Sequence, residues 1–288
     1  MKEITVISGK GGTGKTSVTA ALAAAGTDMV LCDADVDAAD LHLLLQPVTR
    51  ESHVFEGSWI PRIDPDACSL CGICTEYCRF DAITLNDREQ YAVDPFKCEG
   101  CRLCERICPS GAILSERSTN NSWFISDTRF GTMVHARMGA GEENSGKLVT
   151  EVRRAAREKA SGQGARYLLT DGPPGTGCPA IASITGTDAV VVVIEPSVTS
   201  LHDARRVIEL ARGFNLPVFA LINKWDINEK MAGEIEAYLS EESIPLLGKI
   251  PFDKAFVEAM IEGLTLPEFD PSSRTTGILH SVWTALQK

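Results

Sequence analysis

Gly9-Lys10-Gly11-Gly12-Thr13-Gly14-Lys15-Thr16 decides how this chain folds. The stretch fits the pattern G-x-x-x-x-G-K-[ST] in the context that pattern needs. The β-branched segment Glu3-Ile4-Thr5-Val6-Ile7 before it reads as a strand, and residues 17–25 after it read as a helix. Glycines let consecutive backbone N–H groups converge on phosphate oxygens, and the helix N-terminus adds the positive end of its dipole. Gly9, Gly11, Gly12, Thr13, Gly14 and Ser17 are therefore expected to line a phosphate site, with Lys15 reaching the outer phosphates and the Thr16 hydroxyl on Mg²⁺.

Further along, Met29-Val30-Leu31-Cys32 reads as a second strand. It delivers the acidic string Asp33-Ala34-Asp35-Val36-Asp37 to the carboxyl edge of a sheet, where α/β proteins bind ligands. More strands are expected at 123–126, 133–137, 167–170, 189–194, 218–222 and 246–250, with helices at 147–159, 201–212 and 229–239. This alternation predicts an α/β fold with a doubly wound, mostly parallel sheet. Between about 59 and 117 the composition shifts to short segments rich in Cys, Asp, Pro and Gly. We read residues 59–117 as a small inserted α+β domain, with 1–58 and 118–288 as the two parts of the host.

The chain has 288 residues, 44% of them hydrophobic, so a large core is available. A formal charge of −11 works against nucleic acid and anionic membranes, whose nonspecific partners are rich in Lys and Arg. The first 15 residues lack the apolar run of a signal peptide, and the run 189–194 is too short to span a bilayer. A cytoplasmic protein with no nucleic-acid or membrane partner is expected.

Ten cysteines in a reducing compartment point to metal rather than disulfides. Eight fall in two runs, Cys68-x2-Cys71-x2-Cys74-x3-Cys78 and Cys98-x2-Cys101-x2-Cys104-x3-Cys108-Pro109, spaced 30 residues apart. Phe80-Asp81-Ala82-Ile83 mirrors Ser110-Gly111-Ala112-Ile113, the mark of an internal duplication. Zinc sites separate two C-x2-C pairs by a longer stretch, whereas three cysteines at successive three-residue steps suit one cubane. The runs resemble those of bacterial two-cluster ferredoxins, with Arg79 where the first run would carry proline. That resemblance implies two [4Fe–4S] clusters, the fourth cysteine of each run ligating the other cluster. Cys68, Cys71, Cys74 and Cys108 would hold one, and Cys98, Cys101, Cys104 and Cys78 the other.

The second lysine of the loop, Lys10, makes the host resemble the deviant Walker A ATPases, the group of MinD, ParA, the Mrp-type iron–sulfur carriers and the nitrogenase iron protein. Within it the chain resembles MinD-like proteins with an inserted ferredoxin module, which are linked with metal-cofactor assembly. The resemblance implies ATP and Mg²⁺ as ligands and an ATP-dependent homodimer, or a heterodimer with a related ATPase, in which Lys10 reaches the partner's nucleotide. It makes Asp171-Gly172-Pro173-Pro174-Gly175 the Walker B and switch II segment, with Asp171 on Mg²⁺ through water. One of Asp33, Asp35 and Asp37, with Asp37 favoured, would orient the attacking water. Asn223 in Asn223-Lys224-Trp225-Asp226 would contact the base, and Pro251 would pack on it.

Cys178 stands seven residues after Asp171, where the nitrogenase iron protein carries a cluster-bridging cysteine. The second cysteine of that arrangement is missing from Glu143-Asn144-Ser145-Gly146-Lys147, so Cys178 is either a ligand of a third centre or a small packed thiol. Cys32 reads as core. The glycine-rich, acidic stretch from His135 to Gly146 is a candidate contact for a partner, a metal or the other subunit. The redox or metal-cofactor-assembly protein that such a chain would serve is not written in the sequence.

Overall fold

A computed structural model describes residues 1–139, 142 and 145–288. The strands are β1 (Lys2–Ser8), β2 (Met29–Asp33), β3 (Val48–Phe55), β4 (Trp59–Ile63), β5 (Ile83–Leu85), β6 (Tyr91–Val93), β7 (Ile113–Arg117), β8 (Asn121–Thr128), β9 (Gly131–Arg137), β10 (Tyr167–Pro174), β11 (Ala189–Ile194), β12 (Val218–Asn223) and β13 (Leu246–Ile250). The helices are α1 (Lys15–Ala25), α2 (Leu41–Leu45), α3 (Ile73–Glu76), α4 (Leu103–Ile107), α5 (Ser145–Gln163), α6 (Cys178–Ile184), α7 (Val198–Gly213), α8 (Glu229–Glu241), α9 (Ala255–Ile261), α10 (Leu266–Phe269) and α11 (Arg274–Leu286).

Nine strands form one sheet in the order β13-β12-β11-β1-β10-β2-β9-β8-β3. The six pairings from β13 through to β9 are parallel, which makes the sheet mostly parallel, as the alternation predicts. Only Arg129 and Phe130 join β8 to β9, a link so short that these neighbours run antiparallel. The strand at β3 went unread because its residues are mostly exposed and show no apolar face. Also, β10 runs on through Pro174, so the segment expected as a loop after Thr170 begins as strand.

Both faces of the sheet are covered. On one, Val18 and Leu22 of α1, Leu41 and Leu45 of α2, and Leu279, Val282, Trp283 and Leu286 of α11 share a core with Ile4, Leu31 and Leu169. On the other, Ile184, Val207, Ile208, Ile235 and Leu239 pack on Ile7, Val190, Val192 and Ile222. Each fully buried side chain of this size contributes about 1.5–3 kcal/mol. Glu3 at the start of β1 is buried and paired with Arg153 and Arg157 of α5. Arg153 also donates to Ala182 O and Thr185 O at the end of α6, which fixes α5 and α6 to the sheet.

The chain divides into two compact units, Met1–Ser52 with Trp123–Ala136 and Ser145–Lys288, and His53–Ser122 with Arg137–Asn144. The second unit contains two antiparallel ribbons, β4 with β7 and β5 with β6, and the short helices α3 and α4. Its two halves repeat each other. Asp64 N donates to Ala112 O at 2.8 Å and Asp94 N to Ala82 O at 2.7 Å. Asp64 and Asp94 each turn the chain by accepting the N–H two residues on. The strand before the first cysteine run therefore pairs with the strand after the second run, and the converse holds for the other ribbon.

His135 of β9 is a packed strand histidine, bonded to Ser126 Oγ at 2.8 Å and lying 5.2 Å from the Phe124 ring. Ala140, Gly141, Glu143 and Asn144 of the stretch that follows lie outside the described residues. Burial, helped by His42, holds His135 down at about 4. The unfolded chain takes up this proton near pH 6.5, before the folded one does, so stability is lost as pH falls from about 6.5 to 4. Urea titrations across that window should show a loss on the order of 1–3 kcal/mol, and His135→Gln should flatten it. An unchanged slope in the variant would remove His135 from the account.

Candidate functional site

The loop between β1 and α1 wraps the N-terminus of a helix that carries no capping side chain and no acidic residue in its first turn. Its N–H groups are left for a ligand. Gly14 sits at φ 87°, and a Cβ there would stand 2.3 Å from Asn223 Nδ2, so only glycine fits. Asn223 Nδ2 donates to Thr13 O at 2.8 Å and Lys224 Nζ to Gly12 O at 2.9 Å. The end of β12 thus shapes the loop. A cavity of about 430 Å³ opens here, lined among others by Gly12, Thr16, Ser17, Asn223, Pro251 and Phe252. Thr13 Oγ1, buried at its edge, has no hydrogen-bond partner among the described residues.

Two strand ends, those of β2 and β10, bring three carboxylates to one lysine. Lys15 Nζ, 6% exposed, lies 3.0 Å from Asp171 Oδ1 and 3.2 Å from Asp35 Oδ2. Asp171 also accepts from Thr16 Oγ1 at 2.7 Å and Thr19 Oγ1 at 2.9 Å. Asp33 is fully buried, with Oδ1 accepting from Asp35 N at 3.2 Å and Oδ2 without a partner among the described residues. Burial works to lower the Lys15 pKa, but Asp171 and Asp35 outweigh it and leave the ammonium above its ordinary value. Burial, then Asp171, pushes the Asp33 carboxyl well up. A cluster of this charge next to an unpartnered Thr13 hydroxyl and an unpartnered Asp33 oxygen suits a Mg²⁺-bound polyphosphate, with Thr16 and Asp171 on the metal side. Thr19, one turn after Lys15, was not read from the sequence, although its i+4 spacing puts it on the same face.

Asp37, Lys10 and Cys178 do not line this cavity. Asp37 is exposed beyond β2, while Asp35 is buried on Lys15. The turn after β10 is tied to the end of β1 by Gly175 N donating to Ser8 O at 2.9 Å. Asp226 Oδ1 accepts from Phe252 N at 2.6 Å, which ties the segment after β12 to the one after β13. Lys10 Nζ lies 2.5 Å from Glu195 Oε1 at the end of β11, a carboxylate that sequence reading passed over. Its signal was an acid placed directly after a wholly apolar strand. Cys178 is the exposed first residue of α6, and a Cβ on Gly146 would sit 3.2 Å from the Cys178 Cβ. Cys32 is buried in β2, its thiol pushed out of the ordinary range by desolvation.

In the second unit, the crossed ribbons draw the cysteines into two mixed sets. Cys68, Cys71, Cys74 and Cys108 line one small cavity; Cys78, Cys98, Cys101 and Cys104, with Cys74 at the wall, line another. Topology explains this. Cys68 follows β4 and Cys108 precedes β7, its pairing partner, while Cys98 follows β6 and Cys78 precedes β5. All eight are free thiols. Burial pushes Cys104 up to about 11 and raises Cys74 and Cys98. Among the described residues no three His, Cys, Asp or Glu side chains group closely enough for one bare ion. Four cysteines line one cavity and five the other, a donor set that suits a centre with several thiolate ligands.

The family model described as the CobQ/CobB/MinD/ParA nucleotide binding domain matches residues 4–266. An uncharacterised protein of Methanocaldococcus jannaschii is 32% identical over 238 residues, 78% of this chain and 79% of that protein. The iron–sulfur cluster carrier protein of the same organism is 30% identical, over 36% of this chain and 40% of the carrier. The cytosolic Fe–S cluster assembly factor Nubp1 homolog of Drosophila melanogaster is 31% identical, over 35% and 39%. Among solved structures, the septum site-determining protein MinD of Pyrococcus horikoshii, complexed with Mg-ADP, aligns over 100% of this chain and 96% of its own, with TM-score 0.62 and 19% identity. That likeness concerns the fold. No helix among the described residues is long and apolar enough to cross a membrane.

Mg-nucleotide at a hundredfold excess over its Kd should add about 2.7 kcal/mol to the folded state, roughly 5 °C or more in melting temperature for a chain of this size. Gly14→Ala should abolish that shift, because the new methyl collides with Asn223. A full shift in the variant would show that the ligand binds elsewhere.

Proposed function

Since the chain belongs to the CobQ/CobB/MinD/ParA nucleotide-binding family, we propose that it is an ATP-hydrolysing iron–sulfur protein that couples nucleotide-driven movement to electron transfer through two [4Fe–4S] clusters. The observation that carries this reading is the pair of mixed cysteine sets, each drawn from both runs and each lining its own cavity. Residues 59–117 are then a ferredoxin-like module inserted in the ATPase. Bound clusters would supply one-electron transfer, and two side by side make a path where a structural role needs only one.

In the nucleotide site Lys15 leaves the carboxylates for the outer phosphates. Thr16 and Asp171 hold the metal side, and Asn223 and Pro251 flank the base. Asp37, exposed past β2, has room to orient a water, whereas Asp35 is engaged with Lys15. Gly175 is bonded to the loop through Ser8 O, so a change at the phosphates reaches switch II directly. Lys10 acts in trans in an ATP-dependent dimer, homomeric or with a related ATPase, in the cytoplasm. A cation supplied in that way is worth about 10³–10⁵ in rate.

A second reading, a carrier or assembly factor for a cluster or metal cofactor, is favoured by Cys178. It is exposed at the start of α6, next to the segment where a second bridging ligand would stand. The partial likeness to proteins named as cluster carriers leans the same way. A positioning ATPase has less support, because Leu279, Val282, Trp283 and Leu286 of α11 are buried in the core rather than free for a membrane.

Anaerobic purification with an iron count and EPR, with and without ATP, tests these readings. About eight irons are expected for two cubanes, with signals that change on adding ATP. Cys108→Ser should cost one cluster while Lys15 still binds nucleotide. Metal beyond those irons that disappears in Cys178→Ala would move the reading to assembly, and zinc in place of iron would sink both.

A further inference from the structure

Glu195 stands between two cations, Lys10 of the phosphate loop and Lys224 just after β12. Its Oε1 is 2.5 Å from Lys10 Nζ and its Oε2 is 3.6 Å from Lys224 Nζ, which also donates to Gly12 O at 2.9 Å. The backbone on each side is fixed. Ser8 Oγ donates to Lys10 O at 2.8 Å, and Glu195 N donates to Ser200 Oγ at 3.1 Å. A Cβ on Gly9 would lie 2.5 Å from the Asp203 carbonyl carbon, so the loop's first residue is pressed against α7. Yet the Lys10 and Glu195 side chains are 30% and 21% exposed. The ion pair is ordered but within reach of a second molecule.

We propose that Glu195 is a resting latch: its carboxylate occupies the Lys10 ammonium in the single chain, and Lys10 must leave it for a nucleotide phosphate of a second copy before two chains close. The proposal rests on Lys10 acting in trans. Carboxylate and phosphate oxygens are equivalent partners for an ammonium, so Lys10 loses little in the exchange. Glu195 is not stranded either, because Lys224 stands ready to take it up. A triphosphate in the same chain adds negative charge beside Gly12, which repels Glu195 and loosens the latch. Closure is thereby tied to loading, and an empty chain keeps its trans-acting lysine occupied. Glu195 is a positioning residue here, since it acts through Lys10.

Sedimentation velocity over a range of protein concentrations, with Mg²⁺ and a non-hydrolysable ATP analogue, reads the latch directly. Each dimer opens two pairs, and a pair partly open to solvent is worth up to about fivefold in an equilibrium constant. Glu195→Gln should therefore lower the dimer dissociation constant by up to roughly 25-fold, with a melting temperature at most about 4 °C lower, and Glu195→Asp should fall between. Lys10→Ala should abolish the dimer, and Lys10→Ala with Glu195→Gln should behave as Lys10→Ala alone. If Lys10→Ala dimerises like wild type, the trans reading is wrong and the latch goes with it. If Lys10→Ala abolishes the dimer while Glu195→Gln leaves it unchanged or weaker, the latch alone is wrong.

Discussion

One ammonium group organises the first unit. Lys15 sits buried where β1, β2 and β10 end, and Asp33, Asp35 and Asp171 converge on it. Three carboxylates at so low an exposure repel one another and lose hydration, and a single cation offsets only part of that. The cluster therefore lowers the stability of the empty protein in exchange for a site already arranged for a metal and phosphates. The parallel order of the central strands is what makes it possible, because parallel strands deliver their ends, and whatever follows them, to one edge. The loop contacts from Asn223, Lys224, Ser8 and Glu195 hold the phosphate cradle in shape around the same point.

Much of this was legible in the sequence because local rules and tertiary context agree there. Gly14 and Lys15 are dictated by the loop's own geometry, and the apolar strands at 189–194 and 218–222 have no reading other than buried parallel strand. Where the two levels part, the sequence is silent. The edge strand β3 is polar on both faces, so no period marks it. Asp33, Asp35 and Asp37 look alike in one dimension, but the pleat and the turn after β2 bury the first two and leave the third exposed. Glu195 had no motif to announce it, since its partners lie 185 residues before and 29 after it, a pairing only the assembled sheet creates.

The cysteine unit shows a different kind of legibility. Its spacing announces metal, and the 30-residue repeat announces duplication, but which thiols share a space depends on which strands pair. Paired hydrogen bonds from Asp64 to Ala112 and from Asp94 to Ala82 show the pseudo-twofold relation that a repeated motif adopts when each copy completes the other. With short strands and helices of four and five residues, this unit has little core of its own beyond Ala82, Ile83, Ala112 and Ile113. Small units of this kind depend on cross-links or metal for their stability.

That crossing makes the two halves of the unit mutually hostage. On the proposed reading each centre would be held by three thiols of one half and one of the other, a fastening between them, and the two fastenings would run in opposite senses. Damage to either centre would release one stitch from each half at once, so oxidative loss should spread from the first site to the second instead of stopping at a half-filled form. Assembly carries the same signature in reverse: the first centre to form positions the stray thiol of the other set, and the second insertion should be easier than the first.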